Sequence, residues 1–79
     1  MYWVYVLKCV DNGFYVGCTD NLRERYKQHN DGLVKNTKSR LPVILWQYHC
    51  FRSREVAFSF EKYLKTGSGI AFAKKHFSE

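Results

Sequence analysis

The spacing of apolar and polar residues changes period several times along this chain. Tyr2 to Val10 is rich in Val, Tyr and Trp, and after a break at Asp11, Asn12 and Gly13 the same character resumes from Phe14 to Cys18. Two β-prone runs around a turn cluster predict a hairpin. Asn21 followed three residues later by Glu24 is a capping-box pattern, so a helix is predicted over Leu22 to Asn30, with Gly32 ending it. The polar, basic stretch from Leu33 to Arg40 reads as an exposed loop. Pro42 then opens a third strand, Val43 to Phe51. Its even positions Ile44, Trp46, Tyr48 and Cys50 are the more apolar and are expected to face the core, with Gln47 and His49 opposite. Ser53 is a natural N-cap for a helix running to about Lys65. Ser68 is the expected cap of a shorter one ending near Phe77, with Gly67 and Gly69 between them. The order β-β-α-β-α-α predicts an α+β fold, a small three-stranded sheet flanked by three helices. With 79 residues it should form a single domain spanning 1–79.

Charge narrows the partners. Thirteen Lys and Arg against seven Asp and Glu leave +6, a balance that favours a polyanion. A content of 46% hydrophobic residues is too high for a disordered chain, so a packed core is expected. The longest apolar runs, such as the one from Pro42 to Trp46, are far short of a membrane span, and Met1 leads directly into a strand, so neither an anchor nor an export signal is expected. Cys9, Cys18 and Cys50 are odd in number and widely spaced, which argues against a disulfide framework and for a cytoplasmic location. They also lack paired zinc-ligand spacing with His29, His49 or His76.

Candidate chemistry begins on the first helix. At about 100° per residue Leu22 and Tyr26 share a stripe, with Arg25 and His29 beside or between them, while Arg23, Glu24, Lys27 and Gln28 face away. A cation and an imidazole beside an apolar stripe either pair or open onto a polar cleft, or else lie at its edge with their heads in water. Most acids have ordinary places in turns, caps and ends. Glu61 does not, standing mid-helix beside the stripe of Val56, Ala57, Phe60, Tyr63 and Leu64, where it either pairs with Lys62 or Lys65 or does chemistry. Tyr5 and Tyr15 share a sheet face only if the hairpin loop has three residues, Asp11 to Gly13 with Gly13 at positive φ; a two-residue Asn12-Gly13 loop would separate them.

Val4-Tyr5-Val6, then Tyr15-Val16-Gly17, Arg25 and His29 on a helix, and Glu61 on a later helix occur in an order and spacing that resembles the GIY-YIG nuclease superfamily. Thr19, Asn30 and the Arg40-Leu41-Pro42 lead into the third strand match as well. The chain is most similar to small single-domain members related to the nuclease module of the bacterial excinuclease. It departs in its first motif, which lacks the Gly-Ile-Tyr wording, and in having no asparagine after Asn36.

The resemblance implies three antiparallel strands flanked by helices and a divalent-metal-dependent endonuclease acting on DNA, with RNA left open. One Mg²⁺ or Mn²⁺ would be held by Glu61, since a single carboxylate with substrate oxygens suits such an ion. Arg25 would bind the scissile phosphate, and His29 would hydrogen-bond a tyrosine or the phosphate. Tyr5 would stand on the base side, its phenolate favoured by neighbouring cations, with Tyr15 orienting it or the water. Lys35, Lys38, Arg40 and Lys65 are then candidate backbone contacts, which would select shape over sequence. The alternative is a nucleic-acid-binding module on the same scaffold with little turnover. Phe58, off the apolar stripe of its helix, is the one hint of a protein-binding role.

Overall fold

The computed structural model describes residues 1–77 and contains the expected elements in the expected order. These are β1 (Tyr2–Lys8), β2 (Phe14–Thr19), α1 (Leu22–Asn30), β3 (Ile44–Phe51), α2 (Arg54–Leu64) and α3 (Gly67–Phe77). β1 is the central strand of an antiparallel sheet ordered β2-β1-β3. That position explains why Val4, Tyr5, Val6 and Leu7 are all buried, since both faces of β1 are covered. No helix among the described residues is long and apolar enough to cross a membrane.

The hairpin loop does have three residues, but one step earlier than expected. Cys9 N–H donates to the Gly13 carbonyl and Asn12 N–H to the Cys9 carbonyl, so Val10, Asp11 and Asn12 form the turn. Asn12, not Gly13, takes the left-handed conformation, at φ 66°. The register that follows pairs Tyr5 with Gly17 and Leu7 with Tyr15. Tyr5 and Tyr15 therefore share a face.

Alternation along β1 divides the core in two. Val4 and Val6 join Val16, Ala57 and Leu64 beneath α2. On the other face Tyr5 and Leu7 gather with Cys9 and Val43, with Leu22 and Tyr26 of α1 packed against them. Each fully buried Val or Leu contributes roughly 1.5–3 kcal/mol.

β3 corrects one expectation. Val6 pairs with Gln47 but Leu7 with Leu45, which leaves Trp46 as a bulge residue. Past the bulge the odd residues Gln47, His49 and Phe51 lie opposite Val6, Val4 and Tyr2 on the α2 side, and Trp46 turns onto Phe14, ring centroids 4.5 Å apart. The even residues Tyr48 and Cys50 fall on the α1 side and are exposed, as is Ile44 at the strand's start.

The caps of the first two helices are as the sequence indicates. Asn21 Oδ1 accepts from Glu24 N–H at 3.1 Å and Ser53 Oγ from Val56 N–H at 3.3 Å. Just past the end of α1, Gly32 takes φ 76°. The third helix starts one residue earlier than Ser68, and it is the Thr66 hydroxyl that accepts from Gly69 N–H at 3.0 Å. On α2 the buried positions are Ala57 and Leu64, with Phe60 half-buried, while Val56 and Tyr63 are exposed. The seam facing the sheet is thus rotated toward Glu61. The 33–40 segment is not a wholly exposed loop either, because Val34 and Thr37 are buried.

Candidate active site

The site grows from the odd side of β1. Tyr5 crosses its partner residue Gly17, and an added Cβ there would run into the Tyr5 hydroxyl and Cζ. Glycine is needed at this position for the phenol to lie across β2. The Tyr5 hydroxyl then meets His29 Nε2 at 2.8 Å, and His29 Nδ1 lies 2.8 Å from Thr37 Oγ1. All three residues are at most 1% exposed. Tyr15 completes the cluster, its ring 5.2 Å from the imidazole and 6.5 Å from Tyr5.

Burial decides the protonation of this cluster. His29 is pushed down to about 4, first by desolvation and then by the positive charge of Arg25, so its imidazole is neutral at pH 7. Tyr5 is pushed up to about 12, again chiefly by burial. Arg25 pulls the phenol pKa down, as expected of a nearby cation, but desolvation outweighs it and the charges of Tyr15 and Glu61 add to the rise. Tyr5 is therefore a neutral phenol in the free protein, contrary to the phenolate expected from the sequence.

Arg25 is half-buried at the mouth, its Nη1 donating to Gln28 Oε1 at 3.0 Å. It shares a polar groove of about 390 Å³ with Cys18, Thr19, Asp20, Asn21, Glu24 and Gln28. Glu61 approaches from α2: its charge acts on both Cys18 and Tyr5, and its side chain is only 16% exposed. It also draws a cation, with Lys65 Nζ 3.0 Å from its Oε2. Arg25, His29, Tyr5, Tyr15 and Glu61 thus belong to one neighbourhood at the β2 edge.

The remaining basic candidates separate. Lys65 is beside Glu61, and Lys35 and Lys38 are exposed on the turn behind His29. Arg40 is committed elsewhere, bonded through Nε and Nη2 to the Asp11 carboxylate at 2.9 and 3.3 Å, which ties the third strand's lead-in to the hairpin.

Two residues escaped the sequence reading. Thr37 sat in a polar segment with no periodic signal, and its contact with His29 exists only once the chain folds back. Arg54 lies seven residues before Glu61, hence on the same helix flank, a spacing that could have drawn attention to it. Its guanidinium stands 5.2 Å from the Phe58 ring centroid, and the two line a second groove, of about 270 Å³, with Tyr2, Cys18, Thr19 and Asp20. Phe58 is in this way partnered by a cation next to the site.

Among the described residues no three His, Cys, Asp or Glu side chains cluster as a closed metal cage. The donor chemistry suits an open oxygen site instead: one partly buried carboxylate, Glu61, whose charge acts on Cys18 in the wall of the groove that Arg25 shares.

The sequence profile of the GIY-YIG catalytic domain matches residues 1–70. A UPF0213 protein of Bacillus licheniformis is 43% identical over 65 residues, 81% of this chain and 67% of the relative. Another, of Clostridium perfringens, is 44% identical over 66 residues, 82% of this chain and 71% of the relative. The solution NMR structure of a UPF0213 protein from Bacillus halodurans superposes with a TM-score of 0.64 at 29% identity, covering 99% of this chain and 87% of that one. With the tyrosine pair, the α1 arginine and histidine, and the α2 glutamate gathered at one sheet edge, the chain belongs to the GIY-YIG catalytic domain family, a membership that implies a nuclease-type function.

Proposed function

We propose that this protein is a divalent-metal-dependent endonuclease that hydrolyses DNA phosphodiester bonds and selects DNA by shape. The observation that carries this reading is the gathering of the buried Tyr5–His29 pair with the charges of Arg25 and a partly buried Glu61, Arg25 opening onto the polar groove. Phosphodiester hydrolysis needs a cation on the phosphoryl oxygens, a place for the proton of the attacking water, and charge neutralisation at the leaving oxygen. Arg25 serves the first need, since a guanidinium matches phosphate in geometry and charge. Glu61 would hold one Mg²⁺ or Mn²⁺, which when bound supplies Lewis-acid stabilisation of the phosphoryl and leaving oxygens.

Tyr5 provides for the proton. As a neutral phenol whose hydroxyl meets the imidazole, it can accept the proton of water on its oxygen while passing its own to His29. Substrate binding favours that transfer. The charge of Arg25 is one of the two causes that hold His29 near 4, and a phosphate on Arg25 offsets it. Arg54 and Lys65 flank Glu61 and are suited to the sugar-phosphate backbone, which carries no base information.

The test is cleavage of branched, flapped and nicked DNA with Mg²⁺ or Mn²⁺, alongside Glu61→Ala. Metal-dependent cutting by the native protein alone supports the reading. Equal cutting by both, or salt-sensitive binding with no cleavage of any substrate, would sink it and favour a binding module.

A further inference from the structure

The polar chain behind Tyr5 has a direction, set by its ends. At one end stands Arg25, whose guanidinium has donors and no acceptor. A hydroxyl beside such a group offers it a lone pair, which favours the Tyr5 proton on the other side, where His29 Nε2 lies at 2.8 Å. A neutral imidazole that accepts at Nε2 carries its proton at Nδ1, and the atom 2.8 Å from Nδ1 is Thr37 Oγ1. The Thr37 hydroxyl then donates onward to the Val34 carbonyl, at a longer 3.5 Å. The Val34 carbonyl also accepts from the Thr37 and Lys38 amides at 3.1 and 3.0 Å, and this turn places the hydroxyl under the imidazole. Thr37 itself is completely buried.

We propose that Thr37 is a positioning residue of this site: by accepting from His29 Nδ1–H it fixes the tautomer whose bare Nε2 takes the Tyr5 proton, and thereby turns the phenol lone pairs toward the groove. The opposite tautomer would donate from Nε2 to the phenol oxygen. Tyr5 would then face the groove as a donor, unable to take a proton from water. In the forward step the O–H bond of water breaks toward Tyr5 Oη, the phenol proton moves to His29 Nε2, and the resulting imidazolium keeps its Nδ1–H on Thr37. The hydroxide formed attacks phosphorus, the P–O bond to one sugar oxygen breaks, and that oxygen leaves with the bonding pair and takes up a proton from solvent. The inference rests on the nuclease reading for its effect on rate, but the tautomer is a property of the folded protein alone.

The experiment compares the native protein with Thr37→Val, which removes the hydroxyl at nearly constant shape, and Thr37→Ser, which keeps it. ¹⁵N NMR of the imidazole should show a pyridine-like Nε2 and a protonated Nδ1 at His29 in the native protein and in Thr37→Ser. Thr37→Val should lose that pattern and roughly 10- to 100-fold in kcat at little change in KM, a part of the roughly 100- to 10,000-fold that proton-transfer catalysis is worth, while Thr37→Ser retains most of the rate. A native His29 protonated at Nε2, or a Thr37→Val protein with unchanged tautomer and kcat, overturns the assignment. If Thr37→Val does not fold, the native tautomer and the retention of both tautomer and rate in Thr37→Ser still decide it. Native protein that cuts no DNA but shows the stated tautomers counts against the nuclease reading and leaves the positioning role supported.

Discussion

The two faces of β1 are built on opposite principles. Even residues Val4 and Val6 enter a dry cluster with Val16, Ala57 and Leu64, where shape and apolar area are all that matter. Odd residue Tyr5, equally buried, enters a hydrogen-bonded series with His29 and Thr37 under the charge of Arg25. An apolar face tolerates repacking, whereas a buried polar series depends on every partner being present. The buried polar series therefore lies on one face, and Glu61 of α2 reaches the same β2 edge from the dry side.

Substitutions can break that division, and the largest effect is expected at Arg25. Arg25→Ala should lower kcat/KM on the order of 100- to 1,000-fold, since it removes charge stabilisation that matures in the transition state. Its DNA affinity should fall only severalfold. Equal losses in binding and cleavage assays would make Arg25 a binding residue instead. On the other face, Leu64→Ala should cost about 3 kcal/mol by urea unfolding, with the turnover of the folded fraction unchanged. A large fall in turnover at full folding would show the dry face to be part of the chemistry.

Acid should act through the polar face. The folded pKa of His29 is depressed to about 4 from the ordinary 6.5, so the unfolded chain takes up a proton that the folded one refuses. This contribution is intact above pH 6.5, declines as pH falls, and by about pH 4 has cost on the order of 3 kcal/mol. His49, also held down by burial, adds with the same sign, so the His29 share is read from the NMR titration of its own imidazole. A His29 that titrates near 6.5 in the folded protein would contradict its burial as a neutral base. The smallest effect belongs to Arg40, whose bond to Asp11 engages it in the fold. Arg40→Gln should leave the salt dependence of DNA binding unchanged, whereas Arg54→Gln should shallow it. The reverse result would reassign the backbone contacts.

Much of this was legible in the sequence, for definite reasons. Asn21 and Ser53 announce helix starts because capping is local chemistry, and the hairpin is signalled by turn residues between β-prone runs. Arg25, His29 and Glu61 stand out as polar groups on or beside apolar stripes, and the tyrosine pair through the motif order that resembles the family. What was hidden depends on tertiary geometry. The bulge at Trp46 reverses the apparent alternation of β3, and nothing local distinguishes it from regular strand. Thr37 gains its role only when the 33–40 segment folds under α1. The neutrality of Tyr5 follows from burial that no spacing reveals: cations near a phenol suggest a phenolate, and desolvation reverses the outcome.

The most direct measurement is the anomalous scattering of Mn²⁺ in crystals grown with a phosphorothioate-substituted oligonucleotide. The expected result is one ion on Glu61, with the modified phosphate between it and Arg25 and the Tyr5 hydroxyl facing the phosphorus. An ion bound away from Glu61, or a phosphate seated on cations elsewhere with this groove left to solvent, would contradict a single phosphodiesterase site at the β2 edge.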